Sequence, residues 1–237
     1  MKKLIMLSLV LVLFCPTIHA KKKKEKAGEV EKSTYIDKQY SFKFTLDENG
    51  WKCKIEDNEE LFRLILSQKN PKIPPDYLDA PDYTYVPRIV VFADTSSRDV
   101  FSFLDSLVSK TYSSDQKKEI LKEFEIINPQ AVLEGTEQEQ TVTRQRLTVD
   151  IGGETGVYWE GHAQYRKYLP SPTDANKGKV VYGAYGAGIV VGKKDNTIVL
   201  FYVMSEWDFF AQIMDQAMVM IKSLAWVAEE KKTEDKK

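Results

Sequence analysis

Period-two alternation of apolar and polar residues runs through most of this chain, and two helical stripes interrupt it. That ordering constrains the fold more than any motif does. Tyr40, Phe42 and Phe44 alternate with Ser41, Lys43 and Thr45, and predict a half-buried strand. Asn49-Gly50 is a hairpin turn signal, and Trp51, Cys53 and Ile55 alternate with Lys52 and Lys54 on a returning strand. The alternation puts Cys53 on the apolar side, as an inert core residue. Leu61–Leu66 and Arg88–Ala93 are further strands. Ser96 with Asp99 three residues on reads as a capping box, and Val100, Phe103, Leu104, Leu107 and Val108 follow at helical spacing, predicting a helix over Arg98–Tyr112. A shorter helix is expected over Gln116–Phe124, ended by Asn128-Pro129.

Strands then resume. Ala131–Gln138 and Thr141–Asp150 read as a pair, followed by a Gly152-Gly153 turn and a long strand over Val157–Leu169. Lys179–Val191 and Thr197–Ser205 form a hairpin across Gly192–Asn196. Asp208 is placed as the cap of a last helix whose stripe is Phe209, Phe210, Ile213, Met214, Ala217, Ile221 and Leu224, with Trp207 beneath it. The methionines Met214, Met218 and Met220 are read as core filler. Strands, a helical pair, more strands and a closing helix predict an α+β fold, a largely antiparallel sheet flanked by helices on both faces.

The ends of the chain carry a different signal. Lys2 and Lys3, an apolar run over Leu4–Phe14 broken only by Ser8, and the exit Ile18-His19-Ala20 have the form of a secretory leader over residues 1–20. The run is too short to span a membrane, which takes about 20 residues. Residues 21–33 are expected to be a basic disordered tail, 34–228 a single α+β domain, and 229–237 a charged disordered tail. The product would be periplasmic or secreted. Lys21, Lys22, Lys23 and Lys24 could give weak contact with anionic headgroups.

Loss of the leader would remove two lysines, Cys15 and His19, moving the formal net charge from −1 to −3 and leaving one cysteine, Cys53, and one histidine, His162. A single cysteine makes no internal disulfide, so a core must carry stability, and 217 residues suffice for one. One histidine and one cysteine are too few for a structural zinc site, and any triad would have to use His162. The near-neutral charge argues against nucleic acid as a partner. No metal or cofactor is expected, and the chain does not read as an enzyme.

Three places invite a functional reading. Lys69–Pro87 holds five prolines, with Asp76, Asp79 and Asp82 at spacing three and Tyr77, Tyr83 and Tyr85 among them. It can be a docking loop, since tyrosines give rigid contacts and prolines reduce ordering cost, or a pinned cover for a sheet edge. Calcium is a weaker reading, because the spacing lacks the ligand alternation and glycine of an EF-hand. On the Val157–Leu169 strand, His162 shares a face with Tyr158, Glu160, Gln164 and Arg166. Glu160 and His162 could act as an acid–base pair, although alternation alone puts such a row outside. Gly186 and Gly188 do not fit a phosphate loop and instead mark close approach of a packed helix or backbone.

The segment YSFKFTLDENGW, the strand RIVVFAD running straight into an amphipathic helix, and the closing order of a Tyr182-Gly183 strand, KKDN turn, IVLFYVMSE strand and helix ending IKSL resemble the PsbP/Mog1-like group over most of residues 34–225. The resemblance implies an α/β/α sandwich and a small non-enzymatic factor that docks on a larger protein, here in the cell envelope. It transfers no site residue. The alternative is a carboxylate-based enzyme or small-ligand binder using a cleft over the sheet.

Overall fold

The computed structural model describes residues 25–57, 62–72, 87–108, 136–169 and 179–227. The leader, Lys21–Lys24, the Asp76–Tyr85 site residues, the expected helix over Gln116–Phe124 and the charged C-terminal end lie outside them.

Two antiparallel sheets and two helices make up the described fold. The small sheet runs β1 (Glu29–Glu31), β2 (Thr34–Asp37), β3 (Phe42–Thr45) and β11 (Ala225–Trp226). The large sheet has the spatial order β4 (Trp51–Ile55), β5 (Phe62–Gln68), β6 (Arg88–Thr95), β10 (Thr197–Glu206), β9 (Lys179–Lys194), β8 (Glu154–Leu169) and β7 (Thr136–Ile151). The helices are α1 (Val100–Val108) and α2 (Trp207–Lys222). Strands β7 to β10 are a meander that returns to pair with β6.

Strand alternation divides the core in two. Val90 and Phe92 of β6, with Ile198, Leu200, Tyr202 and Met204 of β10, join one cluster with Val100, Phe103, Leu104 and Leu107 of α1. Their neighbours Ile89, Val91, Val199, Phe201 and Val203 join a second cluster with Phe210, Ile213, Met214, Ala217 and Ile221 of α2 and with Tyr35, Phe42 and Phe44 of the small sheet. In the second cluster Phe44 meets Phe201 edge-on at 5.3 Å. Met214 and Met220 are buried, as core filler should be.

A buried ion pair links the sheets. Arg63 of β5 donates from Nε to Asp37 Oδ2 at 2.6 Å, with both side chains essentially inaccessible. Arg63 Nη2 also donates to the Ala27 carbonyl at 3.0 Å and to Gln39 Oε1 at 3.1 Å. Asp37 accepts from the Tyr35 hydroxyl and from the backbone N–H of Gln39 and Tyr40. The surroundings of the Tyr35 hydroxyl hold its pKa far above the ordinary phenol range, burial first and Asp37 next. Arg63 thereby fastens residues assigned to a disordered tail: Ala27 is buried, Glu29–Glu31 is a strand, and Lys26 bridges Asp57 at 3.0 Å.

Several local expectations need correction. Asn49-Gly50 is a turn but not a hairpin, because β3 belongs to the small sheet and β4 to the large one. Asp47 builds that turn by accepting from the N–H of Asn49 and Gly50. Cys53 is exposed rather than core; even so, the packing around its sulfur and then Glu48 push the thiol up to about 11, so it stays protonated at neutral pH. Asp99, not Ser96, caps α1, accepting at 2.9 Å from the N–H of Phe101 and of Ser102. Residues 136–151 are one strand, not the end of one and the start of another. Asp208 lies in the first turn of α2, whose N-cap position is Glu206, with no side-chain cap bond. The β9–β10 turn is narrower than expected, Asp195-Asn196 alone, with Asp195 at φ +52.

Removing Arg63 strands a buried carboxylate. Arg63→Ala is expected to lower stability by about 3–5 kcal/mol, whereas Cys53→Ser stays within about 0.5 kcal/mol. Urea denaturation of both variants checks this; similar midpoints would contradict it.

Candidate functional site

The polar row read on β8 meets the start of α2. In register, Glu160 pairs with Gly188 and His162 with Gly186 of β9. These glycines let α2 settle against the sheet. A methyl group on Gly186 would collide with the Phe210 ring, and one on Gly188 would lie 2.7 Å from Met214 Sδ. The expected close approach of a helix is therefore what the structure contains, and it lowers α2 to the level of the β8 side chains.

Trp207, the first residue of α2, stacks on Phe210 with ring centroids 5.7 Å apart and 14° between planes. His162 packs against the same indole at 4.5 Å. The Arg144 guanidinium lies 4.7 Å from the centre of that indole. A register shift between Thr143 and Gln145 explains why Arg144 reaches it: Thr143 pairs with Gly161 and Gln145 with Glu160, leaving Arg144 as the extra residue. The bulge lets two consecutive residues of β7 serve one site. Gln145 donates to Glu160 Oε2 at 3.0 Å, and Arg144 Nε lies 4.0 Å from Glu160 Oε1. Nothing in the sequence pattern flagged Arg144.

Glu160 is held from a third side by the Tyr158 hydroxyl, at 2.5 Å. Burial, then this hydrogen bond, raise the Tyr158 phenol pKa well above its usual value. His162 is shifted the other way, first by desolvation and then by the Arg144 charge, so its imidazole favours the neutral form. Glu160 thus works as a fixed acceptor for two neutral donors and a nearby cation. His162 is a ring against a tryptophan. Their partners build the structural arrangement rather than the acid–base pair that the spacing of these two residues also allowed.

Beside this ladder is an open groove of about 420 Å³, walled by Trp207, Phe210, Met214 and Met218 of α2 and edged by Gln145, Glu160 and Asp215. The Lys69–Pro87 segment begins against the opposite flank of α2. Lys72 donates to Gln212 of α2 at 3.1 Å and lies 5.7 Å from the Phe209 ring centre, while Gln68 N–H donates to the Pro87 carbonyl at 3.0 Å and so pins the two ends of the segment together. Asp76, Asp79, Asp82, Tyr77, Tyr83 and Tyr85 themselves lie outside the described residues.

No family model matches the chain, and no curated protein matches it. Among solved structures it is similar to cyanobacterial PsbP (CyanoP) from Synechocystis sp. PCC 6803, at 12% identity over 84% of this chain and 96% of that one, with a TM-score of 0.43. It is also similar to LpqN of Mycobacterium tuberculosis, described as involved in cell envelope biogenesis, at 12% identity over 79% of this chain and 83% of that one, with a TM-score of 0.39. A Bacteroides thetaiotaomicron VPI-5482 protein matches at 12% identity over 83% of this chain and 49% of its own length, with a TM-score of 0.37. The likeness is one of fold, PsbP-like and at low identity.

Because folding lowers the His162 pKa, the unfolded chain takes up a proton here more readily than the folded chain. The stability tied to neutral His162 is complete above the unfolded value of about 6.5 and falls as pH drops through it. His162→Gln should flatten the decline in thermal midpoint between about pH 7 and about pH 5. An unchanged slope would contradict the packing described.

Proposed function

We propose that this chain is an exported, non-catalytic binding module that docks on a protein partner in the cell envelope. In this reading the docking surface combines the Trp207 groove on one flank of α2 with the Pro/Tyr segment that starts against its other flank, through Tyr77, Tyr83, Tyr85, Asp76, Asp79 and Asp82. The observation that carries the proposal is the character of the groove. A tryptophan stands in its wall beside methionines and a phenylalanine, an arginine packs on that tryptophan's indole, and the rim is polar. A half-buried tryptophan with an exposed arginine on its face, over an apolar floor and inside a polar rim, is the composition of a protein-binding hot spot. Glu160, the carboxylate best placed for chemistry, is already engaged by Tyr158 and Gln145.

The leader-like start of the chain supports export, and Lys21–Lys24 would add weak contact with a membrane surface. The division of the core between α1 and α2 supports the finer architecture, an α/β/α sandwich. A groove of about 420 Å³ is also within the size range of small-molecule sites, which keeps a small-ligand binder as the second reading.

Affinity capture with lysine crosslinking tests the proposal. The bait is the protein expressed from the full-length sequence, and the target is envelope extract of the source cell. One reproducible partner is expected, crosslinked through Lys69 or Lys72. Its capture should fall about tenfold or more in Arg144→Glu and in the Tyr77, Tyr83 and Tyr85 triple alanine variant, with thermal midpoints unchanged. Capture that ignores both variants, or none at all, would overturn the docking reading; in the second case a small-ligand screen on the groove follows.

A further inference from the structure

A second groove, of about 460 Å³, opens where three segments distant in sequence converge: the β2–β3 turn, the β9–β10 turn and the exit from β11. Tyr40, Ser41, Lys194, Asp195, Asn196 and Trp226 all line it. From its chemistry we infer that it binds a neutral saccharide.

Two aromatic rings are anchored there. The Trp226 indole N–H donates to the Ile151 carbonyl at 3.4 Å, which fixes the ring by its edge. Tyr40 carries the Arg63 guanidinium over one face at 4.9 Å, so the ring is held by the ion pair that joins the two sheets. Between and around them stand a hydroxyl, an ammonium group, a carboxylate and an amide, from Ser41, Lys194, Asp195 and Asn196, the last three exposed. The set holds donors and acceptors in similar number. A sugar demands that balance, because every hydroxyl both donates and accepts, and its apolar ring face packs on aromatic surface. One lysine set against one aspartate gives no net charge to select a phosphate, and one carboxylate is too few for a hard cation.

The backbone of the groove supports the same assignment. Ser41 and Asp195 both adopt left-handed conformations, at φ +53 and φ +52. Asp195 sits in a tight hairpin turn where such a residue is usual. Ser41 does not: a glycine would hold that geometry without strain, and serine instead puts a hydroxyl into the groove. Val227 N–H donates to the Ser41 carbonyl at 2.8 Å, which keeps the turn and the β11 exit together.

The test is amide chemical-shift mapping of the ¹⁵N-labelled protein, expressed from its full-length sequence, against maltose, cellobiose and chitobiose, with inorganic phosphate as the charged comparator. At least one disaccharide should shift the signals of Tyr40, Ser41, Asp195, Asn196 and the Trp226 indole. Ser41→Gly should raise the thermal midpoint while weakening that sugar severalfold. Asn196→Ala, at an exposed side chain, should weaken it with the midpoint unchanged. Absence of shifts with all three sugars, shifts with phosphate alone, or affinities unaltered in both variants would overturn the assignment. None of these results bears on capture through the Trp207 groove.

Discussion

The buried pairing of Arg63 with Asp37 is the constraint on which the remaining structure depends. A guanidinium taken out of water must be met on every side, and here it is met by a carboxylate, a backbone carbonyl, a side-chain amide and an aromatic face. Those partners come from the N-terminal segment, from the end of β2 and from the turn after it. The small sheet is therefore held in one position on the large one. The chain around Ala27 also has to be in place for the charge to be satisfied, and there is no room for a side chain on Gly28, which lies against the Ile36 carbonyl and the Tyr35 ring.

Both grooves follow from how the second layer is held. Glycines 186 and 188 let α2 sink onto β9 until Trp207 comes level with His162, and a bulge in β7 turns Arg144 toward the same indole. On the other side, the residues that satisfy Arg63 run directly into the Tyr40-Ser41 turn, which lies by the β9–β10 hairpin. One groove is walled by apolar and aromatic side chains of α2. The other is ringed by short polar side chains from turns. The two surfaces have different chemistry for a local reason: helices present long side chains, and tight turns select Ser, Asp and Asn.

How far the sequence disclosed this differs by residue. Alternation placed β3 and β8, and helical spacing placed α2, because burial on one face is written directly into a two- or 3.6-residue period, while β6 and β10, buried on both faces, stand out as continuous apolar runs. The same rule put Tyr158, Glu160 and His162 in one row and Gly186 with Gly188 under a helix. What the period could not convey was partnership. Asp47 makes the Asn49-Gly50 turn locally, and nothing local says that the next strand joins a different sheet. Alternation put Cys53 inside, yet on an edge strand that face is open. Ser96 and Asp99 both resemble caps, and only the backbone geometry chooses between them. Arg144 needs a bulge to reach Trp207, and a bulge leaves no mark in a pattern. Arg63, a lone charge inside the apolar run Phe62–Leu66, was the clue that could have revealed the ion pair, since such a residue must find a buried acid.

Native-state hydrogen exchange tests the central claim most directly. If the Arg63–Asp37 pair clamps the small sheet and the N-terminal segment to the large sheet, the amides of Ala27, Gln39 and Tyr40, which lie among or beside its partners, should exchange only through global unfolding, with the same free energy as the central amides of β10. Exchange of those three by local opening, several kcal/mol below the β10 amides, would contradict the account: the small sheet would then be a loosely docked layer, and the ion pair a passenger rather than the clamp.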